Sequence, residues 1–173
     1  DFVPTVTHDI KITPKMSFGT GHHPTTYSMI ELMQRIDFKA KTVYDFGTGT
    51  GILAILAEKL GASKVHAVDN DDWCIENAEE NIHNNASKVI TIEKVESALQ
   101  KEQFDIVLAN VNRHILEANM DELTQIGKPG GTLVLSGLLT EDQSDIIKLT
   151  QSKGWKFQAS QPLNGWVSLM FNR

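Results

Sequence analysis

Cysteine is almost missing: Cys74 stands alone in 173 residues. No internal disulfide can form, and a reducing, cytoplasmic setting is the expectation. Long apolar runs are missing too. The longest, residues 52–57, falls far short of the ~20 residues a spanning helix needs. No secretory signal pattern opens the sequence, and no membrane association is expected. Basic charge is scarce, with 16 Lys and Arg against 22 Asp and Glu and a net charge of −6. That balance disfavours direct nucleic-acid binding, which needs a basic face, and suits a cationic substrate better. Metal-ligand spacing is lacking as well: there is no HxxxH among the six histidines and no second cysteine to join them, so no metal site is expected. Repeats and low-complexity tracts are absent. What remains is ordinary globular composition, 40% hydrophobic and 22% charged, at a length that suits one domain and a monomer.

The middle of the chain alternates β-branched runs with amphipathic stretches, the pattern of βα units around a parallel sheet. Strands are predicted at 42–46, 64–69, 89–93, 104–110 and 132–136. Two more, at 156–159 and 167–171, flank the turn-rich Gln161-Pro162-Leu163-Asn164-Gly165 and form an antiparallel hairpin at one end of the sheet. Helices are predicted at 25–36, with Pro24 in its first turn, and at 52–60, 72–84, 113–126 and 141–153. The third should bury Ile75, Ala78 and Ile82. Lys128-Pro129-Gly130-Gly131 should end the fourth, and Thr140 with Gln143 should form a capping box for the fifth. The sum is an α/β, doubly wound sheet. Residues 1–23 differ from the rest: they form a polar entry segment with a Gly-rich loop ahead of a main domain at 24–173.

The richest stretch is Asp45-Phe46-Gly47-Thr48-Gly49-Thr50-Gly51, leaving a strand and entering a helix. Glycines there let the backbone turn sharply and approach a ligand at the carboxyl end of the first strand. A dinucleotide fingerprint has the spacing GxGxxG, but its third glycine position is Ile52 here, and no GK[ST] follows. Asp45 would repel a phosphate yet could receive the ammonium of a methionine moiety. Asp69 closes the next strand, where a carboxylate can accept both ribose hydroxyls of an adenosine; the alternative is a helix cap, since Asn70, Asp71 and Asp72 precede a helix. A buried strand then delivers Asn110 at its carboxyl end, and Gly130-Gly131 leads into a fifth strand. Glu96 is a weaker candidate acceptor for an adenine amino group, and His114 reads as a helix-surface residue.

These elements, in this order, resemble class I S-adenosylmethionine-dependent methyltransferases. The resemblance implies a Rossmann-like, seven-stranded, mostly parallel sheet of order 3-2-1-4-5-7-6, its last strand antiparallel, with helices on both faces. The segment Met16-Ser17-Phe18-Gly19-Thr20-Gly21-His22-His23-Pro24-Thr25-Thr26 is more specific and is similar to the entry segment of the ribosomal protein L-eleven (L11) methyltransferase family, PrmA. That resemblance implies S-adenosylmethionine as cofactor. It implies contacts to it from Thr26, Gly47, Asp69 and Asn110, with Phe18 closing over it; Thr20, Thr48, Gly49 and Asn70 join the expected cofactor shell. It implies methylation of lysine and N-terminal amino groups of ribosomal protein L11. Asn110 is the candidate to orient the acceptor amine through its carbonyl oxygen; the alternative is a turn-forming polar residue at a strand end. Neither His22 nor His23 is expected to act as a base.

Departures from the family pattern bear on the acceptor. The family reads NIL followed by small residues at the end of the fourth strand, whereas Asn110-Val111-Asn112-Arg113-His114 stands here; Asn110 is kept, but Asn112 and Arg113 should bring polarity to the acceptor entrance. A different protein or small-molecule acceptor is therefore the alternative, and a nicotinamide-dependent oxidoreductase a more remote one. The family also carries a preceding substrate-recognition domain, expected to be absent from these 173 residues.

Overall fold

A computed structural model describes residues 6–13, 15 and 19–173. The elements run α1 (Pro24–Met33), β1 (Thr42–Phe46), α2 (Ile52–Lys59), β2 (Lys64–Asp69), α3 (Asp72–Asn84), β3 (Ile90–Lys94), β4 (Phe104–Asn110), α4 (Arg113–Ile126), β5 (Gly127–Leu139), a 3-10 turn (Thr140–Asp142), α5 (Gln143–Ser152), β6 (Lys156–Leu163) and β7 (Trp166–Asn172). They build a seven-stranded sheet of order β3-β2-β1-β4-β5-β7-β6. Every pairing is parallel except the two made by β7, so the expected fold is the observed one.

Alternation along the strands feeds two cores. Val43, Val65, Ile106, Leu108 and Val134 face Met29, Leu32 and Met33 of α1 and Leu53 and Leu56 of α2. Tyr44, Phe46, Val107, Leu133 and Leu135 face Leu116, Met120 and Leu123 of α4, with Ile146 of α5 and Trp155. Both faces of the central strands are buried, which is why they read as near-continuous apolar runs.

Several boundaries differ from the sequence expectation. β5 starts at Gly127 and runs through the Pro-Gly-Gly stretch, because Gly130 and Arg173 pair their backbones there (2.9 Å). The hairpin turn is only Asn164 and Gly165, both at positive φ (50° and 81°), the conformation a two-residue hairpin favours. Pro162 belongs to β6, tolerated because that strand is the sheet edge. α1 stops at Met33, short of residue 36. The Thr140 capping box does not form: Thr140–Asp142 is a 3-10 turn, and the Asp142 carboxylate accepts the Leu139 N–H instead (3.3 Å). On α3 the buried residues are Asn77, Ala78 and Asn81 rather than Ile75 and Ile82, since the face toward the body meets peptide groups as well as apolar surface.

Candidate functional site

The glycine loop leaves β1 with Gly47 and Thr48 both donating N–H to the Val68 carbonyl (2.9 Å each). Gly47 lies at φ 72°, and a Cβ there would sit 2.4 Å from Val111 Cγ1. Only glycine satisfies both constraints. Beside it, the Asp69 carboxylate accepts three backbone N–H groups: Gly49 on Oδ2 (3.0 Å), and Asn70 and Asp71 on Oδ1 (2.9 and 3.2 Å). The alternative role for Asp69, capping the next helix, belongs to Asp71, whose side chain accepts the Trp73 N–H (2.8 Å) at the start of α3. Asp69 is thus left at the strand end, facing a cavity.

That cavity, about 510 Å³, lies at the carboxyl ends of β1, β2 and β4. Of the expected residues, Gly47, Gly49, Asp69, Asn70, Glu96 and Asn110 line it. The others are placed differently. Thr26 is buried behind the wall and accepts a long hydrogen bond from Asn110 Nδ2 (3.5 Å). Asp45 is fully buried beneath the loop, with Thr48 donating its hydroxyl to Asp45 Oδ2 (2.6 Å). Burial pushes the Asp45 carboxyl up to about 7, against the opposing pull of the Thr48 hydrogen bond. Thr20 is exposed and off the cavity wall, and Phe18 lies outside the described residues.

One polar atom tests whether the site fits the expected cofactor. Asn110 Oδ1 is buried and has no hydrogen-bond partner among the described residues. Asn110 lies on the cavity wall with its amide nitrogen turned to Thr26, so its oxygen is an acceptor waiting for a donor. An acidic wall at Asp69 and Glu96 and a backbone with no Cβ at Gly47 and Gly49 suit an adenosine-bearing, cationic ligand. A pyrophosphate would meet carboxylates where it needs donors. The chemistry of this lining therefore fits S-adenosylmethionine better than a dinucleotide.

Arg113 corrects one expectation. It does not line the cavity; Glu117 (2.8 Å), Asp142 (2.6 Å) and Asp145 (3.3 Å) hold its guanidinium, tying α4 to the start of α5. Three carboxylates within reach outcompete a cavity wall. His114, expected on a plain helix surface, instead lines the cavity with Asn112. His23 caps α1 by accepting the Thr25 N–H (3.3 Å), and its ring meets Trp166 edge-on at 5.1 Å.

Sequence reasoning missed much of the wall: Val95, Val111, Ile115, Gly137 and Trp166. Gly137 directly follows the predicted fifth strand; a Cβ there would lie 2.2 Å from the Val111 carbonyl oxygen. Cys74 also lines the cavity. Its thiol is pushed up to about 11, chiefly by burial and then by Asp69 and Asp71, and stays neutral at physiological pH.

The sheet order and the loop at its carboxyl edge define a class I methyltransferase fold. Within that class the chain belongs to the PrmA family, "Ribosomal protein L11 methyltransferase", which it matches over residues 4–173. A relative so named from Phocaeicola vulgatus is 40% identical over 97% of this chain and 60% of its own length. Another, from Porphyromonas gingivalis, is 41% identical over 97% and 59%. The chain therefore spans about 60% of the curated relatives it matches. The crystal structure of a ribosomal protein L11 methylase from Lactobacillus delbrueckii subsp. bulgaricus superposes with a TM-score of 0.92 at 30% identity, covering 100% of this chain and 90% of that one.

Proposed function

We propose that this chain is the catalytic unit of an S-adenosylmethionine-dependent protein N-methyltransferase whose acceptors are lysine ε-amino and N-terminal α-amino groups of ribosomal protein L11. The observation that carries the reading is Asn110: a buried carbonyl oxygen, unpartnered among the described residues, on the wall of the glycine-loop cavity. The names of the relatives support the choice of acceptor.

When bound, S-adenosylmethionine supplies an electrophilic methyl group on its sulfonium. The chain's residues then have three tasks. Gly47 and Gly49 leave room for the ligand, while Asp69 and Glu96 offer acceptors to its ribose and adenine. Asn110 Oδ1 accepts an N–H of the acceptor amine and turns the nitrogen lone pair toward the methyl carbon. The amine must arrive deprotonated; from a lysine pKa of about 10.4 its proton leaves to water. No side chain is assigned as a base, and the rate comes from alignment and desolvation of the amine. The acidic surface balance, −6 overall, favours approach of a basic protein. Among the described residues no helix is long and apolar enough to cross a membrane; a cytoplasmic monomer is the setting we infer.

Calorimetry tests the cofactor. The chain should bind S-adenosylhomocysteine and not NADH, and the reverse result refutes the cofactor reading. Mass spectrometry of ribosomal protein L11 incubated with the chain and S-adenosylmethionine tests the acceptor. Methyl additions on its amines are expected; an unmodified L11 beside methylation of another protein or a small amine favours the alternative acceptor.

A further inference from the structure

Helix α3 carries Asn77 and Asn81 and is capped by Asn85, three residues spaced four apart and so on one face. Their amides hold the extended stretch before the glycine-rich entry loop. Asn85 accepts the Lys11 N–H (2.9 Å) and donates to the Lys11 carbonyl (2.7 Å). Asn81 accepts the Thr13 N–H (2.9 Å), and Asn77 donates to the Thr13 carbonyl (3.1 Å). Alternate residues thus pair with side-chain amides as they would with a neighbouring strand. Lys15 adds an ion pair with Glu80.

Asn81 also reaches into the glycine loop. Its Nδ2 donates to the Thr50 carbonyl there (2.9 Å), and the side chain is fully buried. Its orientation is fixed chemically, because a flipped amide would set N–H against N–H at Thr13 and oxygen against oxygen at Thr50. Thr50 in turn donates its hydroxyl to the Gly19 carbonyl (2.5 Å). Within the loop, Gly49 and Gly51 adopt φ of 57° and 83°, conformations with much backbone freedom to lose. Among the described residues, two side chains grip this backbone from outside it: Asp69 at the Gly49 N–H and Asn81 at the Thr50 carbonyl. Asp69 lines the cavity; Asn81 does not.

We propose that Asn81 is a positioning residue for the cofactor site: one amide ties the docked segment at Thr13 to the glycine loop at Thr50, so that cofactor affinity depends on a contact outside the cavity. The proposal rests on the cofactor reading above. Linkage makes it reciprocal: if docking at Thr13 favours the binding-competent loop, a bound ligand must shift the Thr13 contact toward its closed state by the same factor in the equilibrium constant.

The test combines calorimetry with hydrogen exchange on the full chain, using S-adenosylhomocysteine as probe. In the wild type, ligand should slow exchange at the Lys11 and Thr13 amides. Asn81→Ala should weaken binding about tenfold, the loss of one buried hydrogen bond expressed in the loop, and should abolish that ligand-dependent slowing. Asn85→Ala, which frees Lys11 but touches neither Thr13 nor Thr50, should change affinity by no more than about twofold. A merely structural asparagine would lower the thermal midpoint in both variants and leave affinity untouched, overturning the proposal; so would equal weakening by both. Should Asn81→Ala fail to fold, the wild-type exchange decides, and ligand binding without slowing at Thr13 sinks the idea. A wild type that binds no S-adenosylhomocysteine refutes the cofactor reading itself, a distinct result.

Discussion

Replacing Asp45 by asparagine should change how the stability of this protein depends on pH. The Asp45 carboxyl is fully buried and accepts a hydrogen bond from Thr48 on Oδ2. Burial is the main reason its folded-state value rises from 3.8 to about 7; the Thr48 bond opposes this, and the Asp69 charge reinforces it. In the unfolded chain the group titrates near its ordinary value. Between those two values the folded protein holds a proton that the unfolded chain has released, so stability falls as pH rises through this window. Each pH unit between them is worth about 1.36 kcal/mol, and about three units give an upper figure of about 4 kcal/mol, present at acid pH and lost above neutrality. The Asp45→Asn variant would carry no such titration. Urea unfolding of both proteins at about pH 4.5, 6 and 8 isolates this contribution, because all other carboxylates cancel in the difference. The stability of the variant relative to the wild type should climb by about 3–4 kcal/mol across the series. Parallel profiles would show that the carboxylate is not penalised in the fold, and the reasoning would fail.

Asp69→Ala strips the acceptor from three loop N–H groups and should weaken S-adenosylhomocysteine binding by about ten- to a hundredfold in calorimetry; far-ultraviolet circular dichroism should stay unchanged, because Asp71 rather than Asp69 caps α3. Gly47→Ala puts a methyl 2.4 Å from Val111 Cγ1 at a φ of 72°. It should cost about 1–3 kcal/mol by denaturant unfolding, and adding Val111→Ala should recover the clash but not the backbone part. Arg113→Ala should leave cofactor affinity unchanged and lower the thermal midpoint, by less at high salt, since the guanidinium is held by Glu117, Asp142 and Asp145 away from the cavity.

The fold was legible because its central strands are buried on both faces and its glycine turns have strong local chemistry. Residues 42–46, 64–69 and 104–110 were bounded as the structure has them. The misplaced boundaries of β5 and β6 share one cause: strand pairing overrode a local breaker. Pro129 and Gly130 stop a helix, but they do not stop β5 from pairing with the chain end at Arg173. Pro162 reads as turn until it is known to lie on an edge strand. Asn164-Gly165 alone carried the true turn signal.

The site was legible only by position along the chain, not by the direction in which each side chain points. Asp69 and Asn110 end strands whose carboxyl edges form the cavity, so topology alone delivers them there. Asp45 near the end of β1 and Thr48 in the loop that follows bond each other beneath the cavity wall, and no spacing rule separates a wall from its support. Arg113 follows Asn112 directly, yet the first helical residue is turned by its three carboxylate partners, two of them about thirty residues away in sequence. The same holds for Asn81, which looks like one more polar residue of an exposed helix until Thr13 and Thr50 are seen on either side of it. A hydrogen bond across such a separation leaves no trace in local pattern. The polar residues that shape this cavity from behind are therefore the ones a sequence hides, and measuring them requires the ligand-linked assays above rather than stability alone.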